Sequence, residues 1–411
     1  MKIKQSFVIE GVGGDFWKDR PAINAGAIED GFTYEGKPVT PGFKAICMSS
    51  EAICIMLILE DGQIAYGDGT SVAYSALSGR DPVLFAKEYI PIVEKEILPR
   101  LVGKELLSFR KLSEEFDHLL VHGKKVHTGI RYGITQALLD GVAKAKKMSM
   151  AEVVAHEYGT KIVTKPIPLF AQCSGDWYMM VDKIILRRIP IFPHASINTV
   201  AKLDKFQGYV EWTRKRIQKL TDHNYQPILH YDLYGTVGMK FKNDLKKIIP
   251  YLKDLVKAAS PYQLRLEDPF NMPDRDSQIE QMKKLRVALK EEGVHIEILA
   301  DEWCNVFEDV KAFTDESAAD VIQIKAPDLG GIHNVIESIL YCKKKSALAY
   351  LGGSCCETEI SSKACLHIAL ATGVDEFLIK PGLGVGTGYV IANNEMQRVL
   401  ALMKFKSSAI P

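Results

Sequence analysis

Between residues 167 and 380 the chain repeats one pattern eight times: a short apolar run, then a stretch of helical spacing. The runs cover residues 167–172, 189–194, 227–232, 263–267, 295–301, 320–325, 347–352 and 376–380, and the helical stretches include 244–259, 277–292 and 332–345. Apolar runs this short read as buried strands, and strands alternating with helices build a parallel sheet through βαβ units. Eight such units in about 250 residues match the size at which a parallel sheet closes into a (β/α)₈ barrel. An open, doubly wound sheet uses the same units, but the count of eight favours the barrel.

The preceding part has a different rhythm. A strand-like opening (2–9) is followed by two runs, 54–60 and 63–66, around Asp61-Gly62, a dipeptide that favours a type I′ hairpin turn. Helical stretches follow at 81–101, 109–120 and 128–147, and Ser149 with Glu152 forms a capping box for a fourth helix. Strands followed by helices indicate an α+β unit. The expected organisation is therefore an α/β chain with an α+β capping domain at residues 1–160 and a barrel at residues 161–411.

Charge and composition exclude several partners. Lys and Arg total 52 against 51 Asp and Glu, so no electrostatic case exists for nucleic acid or an anionic membrane. The longest apolar stretch, near residues 52–59, is far too short to span a bilayer, and the first residues lack a secretory signal pattern. The eight cysteines include no C-x-x-C metal pair, which fits reduced thiols in the cytoplasm.

In a barrel, chemistry sits where the strands end at their carboxyl side. Those ends carry Gln172, His194, Asp232, Glu267, Asp301, Lys325, the Ser354-Cys355 pair and Lys380. Asp232, Glu267 and Asp301 end three successive strands, so their carboxylates converge and repel. A hard divalent cation such as Mg²⁺ relieves that repulsion through oxygen ligands. Gln323 and Lys325 lie on one side of their strand, and a lysine desolvated beside a dication is expected to have a lowered pKa and to act as a base. His194 ends the second strand, opposite the sixth, and is a candidate acid or base for the other substrate face. Glu302 is expected to point away from Asp301. A carboxylate-bound dication with a lysine base suits abstraction of a proton next to a carboxylate. Two glycine-rich stretches lack the Gly-x-Gly-x-x-Gly spacing: residues 382–388 either offer N–H groups to an anion or form a plain turn, and residues 11–14 are expected to be a loop over the barrel mouth.

These motifs resemble the 3-methylaspartate ammonia-lyase family of the enolase superfamily. The metal-type runs are His230-Tyr231-Asp232-Leu233-Tyr234-Gly235-Thr236, Arg265-Leu266-Glu267-Asp268-Pro269 and Ala300-Asp301-Glu302-Trp303-Cys304-Asn305. The base-bearing run is Gln323-Ile324-Lys325-Ala326-Pro327-Asp328-Leu329-Gly330-Gly331, and Gly79-Arg80-Asp81-Pro82 and Asn393-Asn394-Glu395-Met396 extend the likeness over nearly the whole chain. The resemblance implies reversible loss of ammonia from L-threo-3-methylaspartate to give mesaconate, in a cytoplasmic homodimer that uses Mg²⁺ and is activated by K⁺. It implies Lys325 as base for the threo substrate, His194 on the opposite face, and Gln172, Gln323, Ser354 and Cys355 as holders of the substrate's carboxylates and amine, with Leu378 as a wall. Ala73 stands where the family usually has Gln near the amine, which leaves room for a small substituted amine or for water. Ser354 replaces a usual Thr, and Gly386-Thr387-Gly388 a more acidic stretch. A racemase or dehydratase on the same scaffold, and a silent barrel that only binds a metal or diacid, are the competing readings.

Overall fold

The computed structural model describes residues 1–73, 75, 79–173 and 177–408. The eight apolar runs become the strands Leu169–Phe170, Ile191–Ser196, Ile228–Asp232, Leu264–Glu267, Glu297–Ala300, Val321–Ile324, Leu348–Leu351 and Glu376–Leu378. They pair in parallel in chain order, and the eighth returns to the first through Phe377↔Leu169 and Leu378↔Phe170. The sheet is closed, so the open doubly wound arrangement is excluded.

Local chemistry explains the helices between them. In Leu245–Ala259, the Asp244 side chain accepts the Lys246 N–H at the amino end, and Ile248, Ile249, Leu252 and Leu255 form the buried stripe. Inside the barrel, Phe170, Ile191, Leu299, Val321, Tyr350 and Leu378 pack as one buried cluster. Towards the amino ends of the strands, the buried Arg265 donates to Glu376 at 2.6 Å and pairs with Glu297 at 2.7 Å. That end is filled and its charges are matched, leaving the carboxyl end for chemistry.

The first strand, Ile3–Lys18, pairs antiparallel with Cys47–Leu59, which in turn pairs with Ile64–Gly69. The helix Thr128–Lys146 lies between this sheet and the barrel helices Ile332–Lys344 and Glu359–Thr372. Packed on both sides, it buries most of its residues rather than a single stripe.

Several local features differ from the sequence pattern. Residues 11–14 are not a loop but continue the first strand, where the Gly14 N–H donates to the Cys356 carbonyl at 3.0 Å. A Cβ on Gly14 would lie 2.5 Å from the Glu357 carbonyl oxygen, and one on Gly382 would lie 2.0 Å from that of Cys355. Backbone meets backbone here, so only glycine fits. Residues 382–388 are not a plain turn, because they form the short helical segments Pro381–Leu383 and Gly384–Gly388 that lead into Tyr389–Ser408. The 81–101 helix begins only at Ala86, since Asp81 is used to accept the Thr128 N–H at 2.8 Å. Of Asp61 and Gly62 only the glycine has positive φ, and its N–H donates to the Leu59 carbonyl, so the hairpin closes through a type I turn rather than type I′.

Gly382→Ala is expected to destabilise the fold by about 1–3 kcal/mol through overpacking at this seam. Urea unfolding would show a lower midpoint with an unchanged m-value; an unchanged midpoint contradicts the close approach.

Candidate active site

Asp232 closes the third strand and is the register partner of Glu267, the last residue of the fourth. Asp301 follows the fifth strand by one residue, two positions after the inward-facing Leu299. Lys325 follows the sixth strand, on the same side as Gln323 and Val321. His194 reaches the interior by a different device. Pairing of the second and third strands slips by one residue there, with Pro193 opposite His230 and Ala195 opposite Tyr231, and His194 has φ +47°. This bulge turns the imidazole inward, 5.0 Å from the Phe170 ring. In the closed strand order the second and sixth strands are four apart, on opposite walls.

Glu267 is the hub of the polar layer. As an acceptor-only carboxylate it takes hydrogen bonds from His230 Nε2 at 2.7 Å and His194 Nε2 at 3.1 Å on one oxygen, and from Gln323 Nε2 at 2.9 Å on the other. Burial pushes its pKa up, but the two histidines outweigh burial and hold it below the usual carboxylate range. Burial pushes His230 down to about 3, so that imidazole is neutral. Burial and neighbouring carboxylates raise Asp232 and Asp268 well above their ordinary range, and burial raises Asp301 to about 7 despite Lys325.

The site therefore carries more carboxylate than its own cations neutralise. Glu267, Asp268 and Asp301 can present oxygens that all lie within 4.8 Å of one another, as can His194, His230 and Glu267 with their nitrogens and oxygen. Asp232 neighbours Glu267 in register but belongs to neither trio, whereas Asp268, outside the sequence-predicted ligand set, belongs to one. Asp268 also accepts the Glu302 N–H at 2.7 Å and so shapes the loop after the fifth strand. Asp301 Oδ1 and Gln323 Oε1 are buried without a hydrogen-bond partner. Hard oxygen donors with excess negative charge fit an Mg²⁺-type cation.

Lys325 is tied to one of these carboxylates. Its Nζ lies 2.6 Å from Asp301 Oδ2. Burial and Arg80 pull its pKa down, but Asp301, Glu302 and Asp328 outweigh them and hold it up at about 12. The protein's own charges thus keep the lysine protonated.

Above this layer lies a cavity of about 660 Å³, lined by every sequence-predicted site residue except Glu267, which sits beneath it with 0% exposure, and Lys380, the strand-end lysine, which is also fully buried. Gln172, Gln323, Ser354, Cys355, Leu378 and Ala73 share its wall with Lys325, His194, Asp232 and Asp301. Leu378 also belongs to the barrel's apolar interior. A hydrogen bond with Cys356, burial and Asp15 raise the Cys355 pKa well above the ordinary thiol value, so it is a neutral thiol and not a nucleophile. The first strand and the hairpin Ile28–Asp30/Thr33–Glu35 add Asp15, Phe16, Lys18, Phe32 and Tyr34 to the wall. Sequence reasoning missed Arg80 as a site residue. It bonds to Glu302 at 2.6 Å and Asp328 at 2.7 Å, and its Nη2 lies 3.7 Å from Asp301 Oδ1. Its one signal was an arginine in Gly79-Arg80-Asp81-Pro82 outside any amphipathic helix. His230 was also missed, although its alternation with Asp232 places it inward.

The raised carboxylates give a signed prediction. A folded-state pKa above the unfolded value means that the native chain binds extra protons, so stability falls as pH rises from about 4 through 7, the window set by Asp301. Glu267, shifted the other way, acts only below its ordinary value. Thermal melts in chelator should therefore drop across this window, and millimolar Mg²⁺ should remove most of the slope. A slope unaffected by Mg²⁺ contradicts a cation site at these carboxylates.

Comparison with known proteins places this geometry in a family. The family model described as methylaspartate ammonia-lyase N-terminus matches residues 1–159, and the model described as methylaspartate ammonia-lyase C-terminus matches residues 161–405. Methylaspartate ammonia-lyase 2 of Carboxydothermus hydrogenoformans is 49% identical, over 98% of this chain and 99% of that protein. The Mg-complex of β-methylaspartase from Clostridium tetanomorphum superposes with a TM-score of 0.92 at 45% identity, covering 99% of this chain and 100% of that one. The Citrobacter amalonaticus methylaspartate ammonia lyase containing (2S,3S)-3-methylaspartic acid superposes at 0.95 with 41% identity, covering 98% and 100%. With both of its parts matched, the chain belongs to the methylaspartate ammonia-lyase family.

Proposed function

We propose that this chain catalyses the reversible elimination of ammonia from L-threo-3-methylaspartate to give mesaconate. The observation that carries this reading is the placement of Lys325 and His194 on opposite walls of one cavity, above a layer of converging carboxylates. Asp232, Glu267 and Asp301, with Asp268 beside them, are read as the residues that hold Mg²⁺. When bound there, Mg²⁺ supplies the positive charge that stabilises the negative charge developing on a substrate carboxylate and relieves the carboxylates' repulsion.

The remaining work falls to this chain's side chains. Lys325 removes the C3 proton of the threo substrate, a role that requires it to give up the proton its carboxylate neighbours now hold in place. His194, oriented by its contact with Glu267, serves the opposite face. Gln172, Gln323, Ser354 and Cys355 orient the carboxylates and amine, and Leu378 closes the apolar side. Ala73 packs against the cluster of Trp17, Val83 and Cys356, and we read it as the point where a small substituted amine is tolerated. Residues 1–160 are read as the cap over a barrel at 161–411. A cytoplasmic homodimer activated by K⁺ completes the reading and rests on the family resemblance. No helix among the described residues is long and apolar enough to cross a membrane.

The experiment is a pair of variants assayed on both diastereomers. Lys325→Ala should lower kcat for the threo substrate by about 10²–10⁴-fold, the usual scale for a lost general base. His194→Ala should impair the erythro substrate more than the threo. Survival of threo turnover in Lys325→Ala, or equal losses of both substrates in His194→Ala, would overturn the two-face assignment.

A further inference from the structure

Behind the Ser354-Cys355 loop lies a charged group that the reaction above does not use. Lys380, which follows the eighth strand, and Glu357, which follows the seventh, are both 0% exposed and pair at 3.0 Å. Lys380 Nζ also donates to the Gly352 carbonyl at 2.9 Å. Glu357 Oε2 accepts the Ser354 N–H at 2.7 Å, and its other oxygen accepts the Tyr132 hydroxyl at 2.6 Å. Tyr132 belongs to the helix Thr128–Lys146, outside the barrel, and its hydroxyl also meets Cys365 Sγ at 3.1 Å.

The loop is wrapped directly on this pair. A Cβ on Gly353 would lie 1.9 Å from Glu357 Oε2 and 2.5 Å from Lys380 Nζ, so the backbone leaves no room between itself and the charges. From its other side, Gly14 N–H holds the Cys356 carbonyl. None of Tyr132, Glu357 and Lys380 is among the residues lining the cavity.

We propose that Tyr132, Glu357 and Lys380 form a buried positioning network that fixes Ser354 and Cys355 against the substrate and links their placement to the helix Thr128–Lys146. This rests on the reading of Ser354 and Cys355 as substrate-holding residues. A buried ion pair is seldom more stabilising than an apolar pair of the same volume, so stability alone is a weak reason for these charges. What they supply is direction: each also holds the backbone of residues 352–354 through a hydrogen bond. A carboxylate gripping a loop N–H, and an ammonium gripping a carbonyl two residues earlier, leave that loop little freedom to rotate. The network therefore acts through Ser354 and Cys355, not by contact with substrate.

The test uses the full-length, Mg²⁺-loaded protein and reads KM and kcat for 3-methylaspartate, the thermal midpoint and the Mg²⁺ activation midpoint. Wild-type turnover is measured first; no ammonia release overturns the assigned reaction, and this proposal with it. Given wild-type activity, Glu357→Gln should raise KM about tenfold or more, the scale of a lost charge-assisted hydrogen bond. The Mg²⁺ midpoint should stay unchanged, because the network is not built on the carboxylate layer. Lys380→Arg, which keeps the charge, should stay nearer wild type than Lys380→Met. If Glu357→Gln does not fold, Tyr132→Phe decides, since it removes one hydroxyl and leaves the ion pair intact. A KM increase of about threefold or more then supports the network. Folded variants with KM and kcat within about twofold of wild type, whatever their thermal midpoint, would show a structural role only and overturn it.

Discussion

The barrel forces acidic side chains from three adjacent strands into one buried layer, and the rest of the site answers that repulsion. Asp232 and Glu267 are register partners, and Asp301 follows on the next strand. Buried carboxylates without counter-charge are among the most expensive arrangements a fold can hold. Each has a visible response here: His194, His230 and Gln323 converge on Glu267, while Lys325 and Arg80 converge on Asp301. The pKa values of Asp232, Asp268 and Asp301 remain raised all the same. That residual imbalance is what a dication would settle, and it is why the base candidate and the metal candidates cannot be considered apart. Lys325 is held by the same carboxylates that a cation would claim.

Elements outside the barrel complete the mouth rather than merely cover it. Arg80 reaches three acidic groups that belong to barrel loops. Asp117, at the end of the helix Phe109–Asp117, pairs with Arg131 and accepts the Gly331 N–H at 2.7 Å, shortly after the lysine-bearing strand. Gly14 meets the loop after the seventh strand, and Tyr132 meets Glu357 behind it. The sixth and seventh strand ends are thus each held from two sides. Placement to a fraction of an ångström is what such double support provides, and misplacement of about 1 Å can cost 10²-fold in rate.

Much of this was legible in the chain because it depends on short-range periodicity. Eight apolar runs with helices between them specified a closed barrel, and the last residues of six of the runs, from Gln172 to Lys325, named the polar layer. Period-two alternation separated Gln323 and Lys325 from their neighbours. The features that escaped depend on contacts between residues far apart in sequence. Nothing local distinguishes Gly14 in a strand from Gly14 in a loop; the difference is the carbonyl of Cys356. His194 points inward through a register slip that no pattern announces. Arg80 and Glu357 looked like ordinary charges until the fold removed them from water, and Lys380, though it ends a strand, lies outside the cavity. The charge environment of Lys325 likewise depends on distant contacts, since Asp301 and Glu302 follow the fifth strand and Asp328 lies in its own loop.

The central claim is that a base on one wall and a cation-binding layer beneath it carry out an ammonia elimination. The most direct measurement follows 3-methylaspartate with the purified chain, recording free ammonia and the absorbance of an α,β-unsaturated diacid together, with and without Mg²⁺, and in reverse from mesaconate with ammonia or larger amines. The account predicts that ammonia and mesaconate appear in equal amounts, only with Mg²⁺, and that the reverse reaction consumes both. Interconversion of stereoisomers without ammonia, or ammonia release indifferent to Mg²⁺, would contradict it.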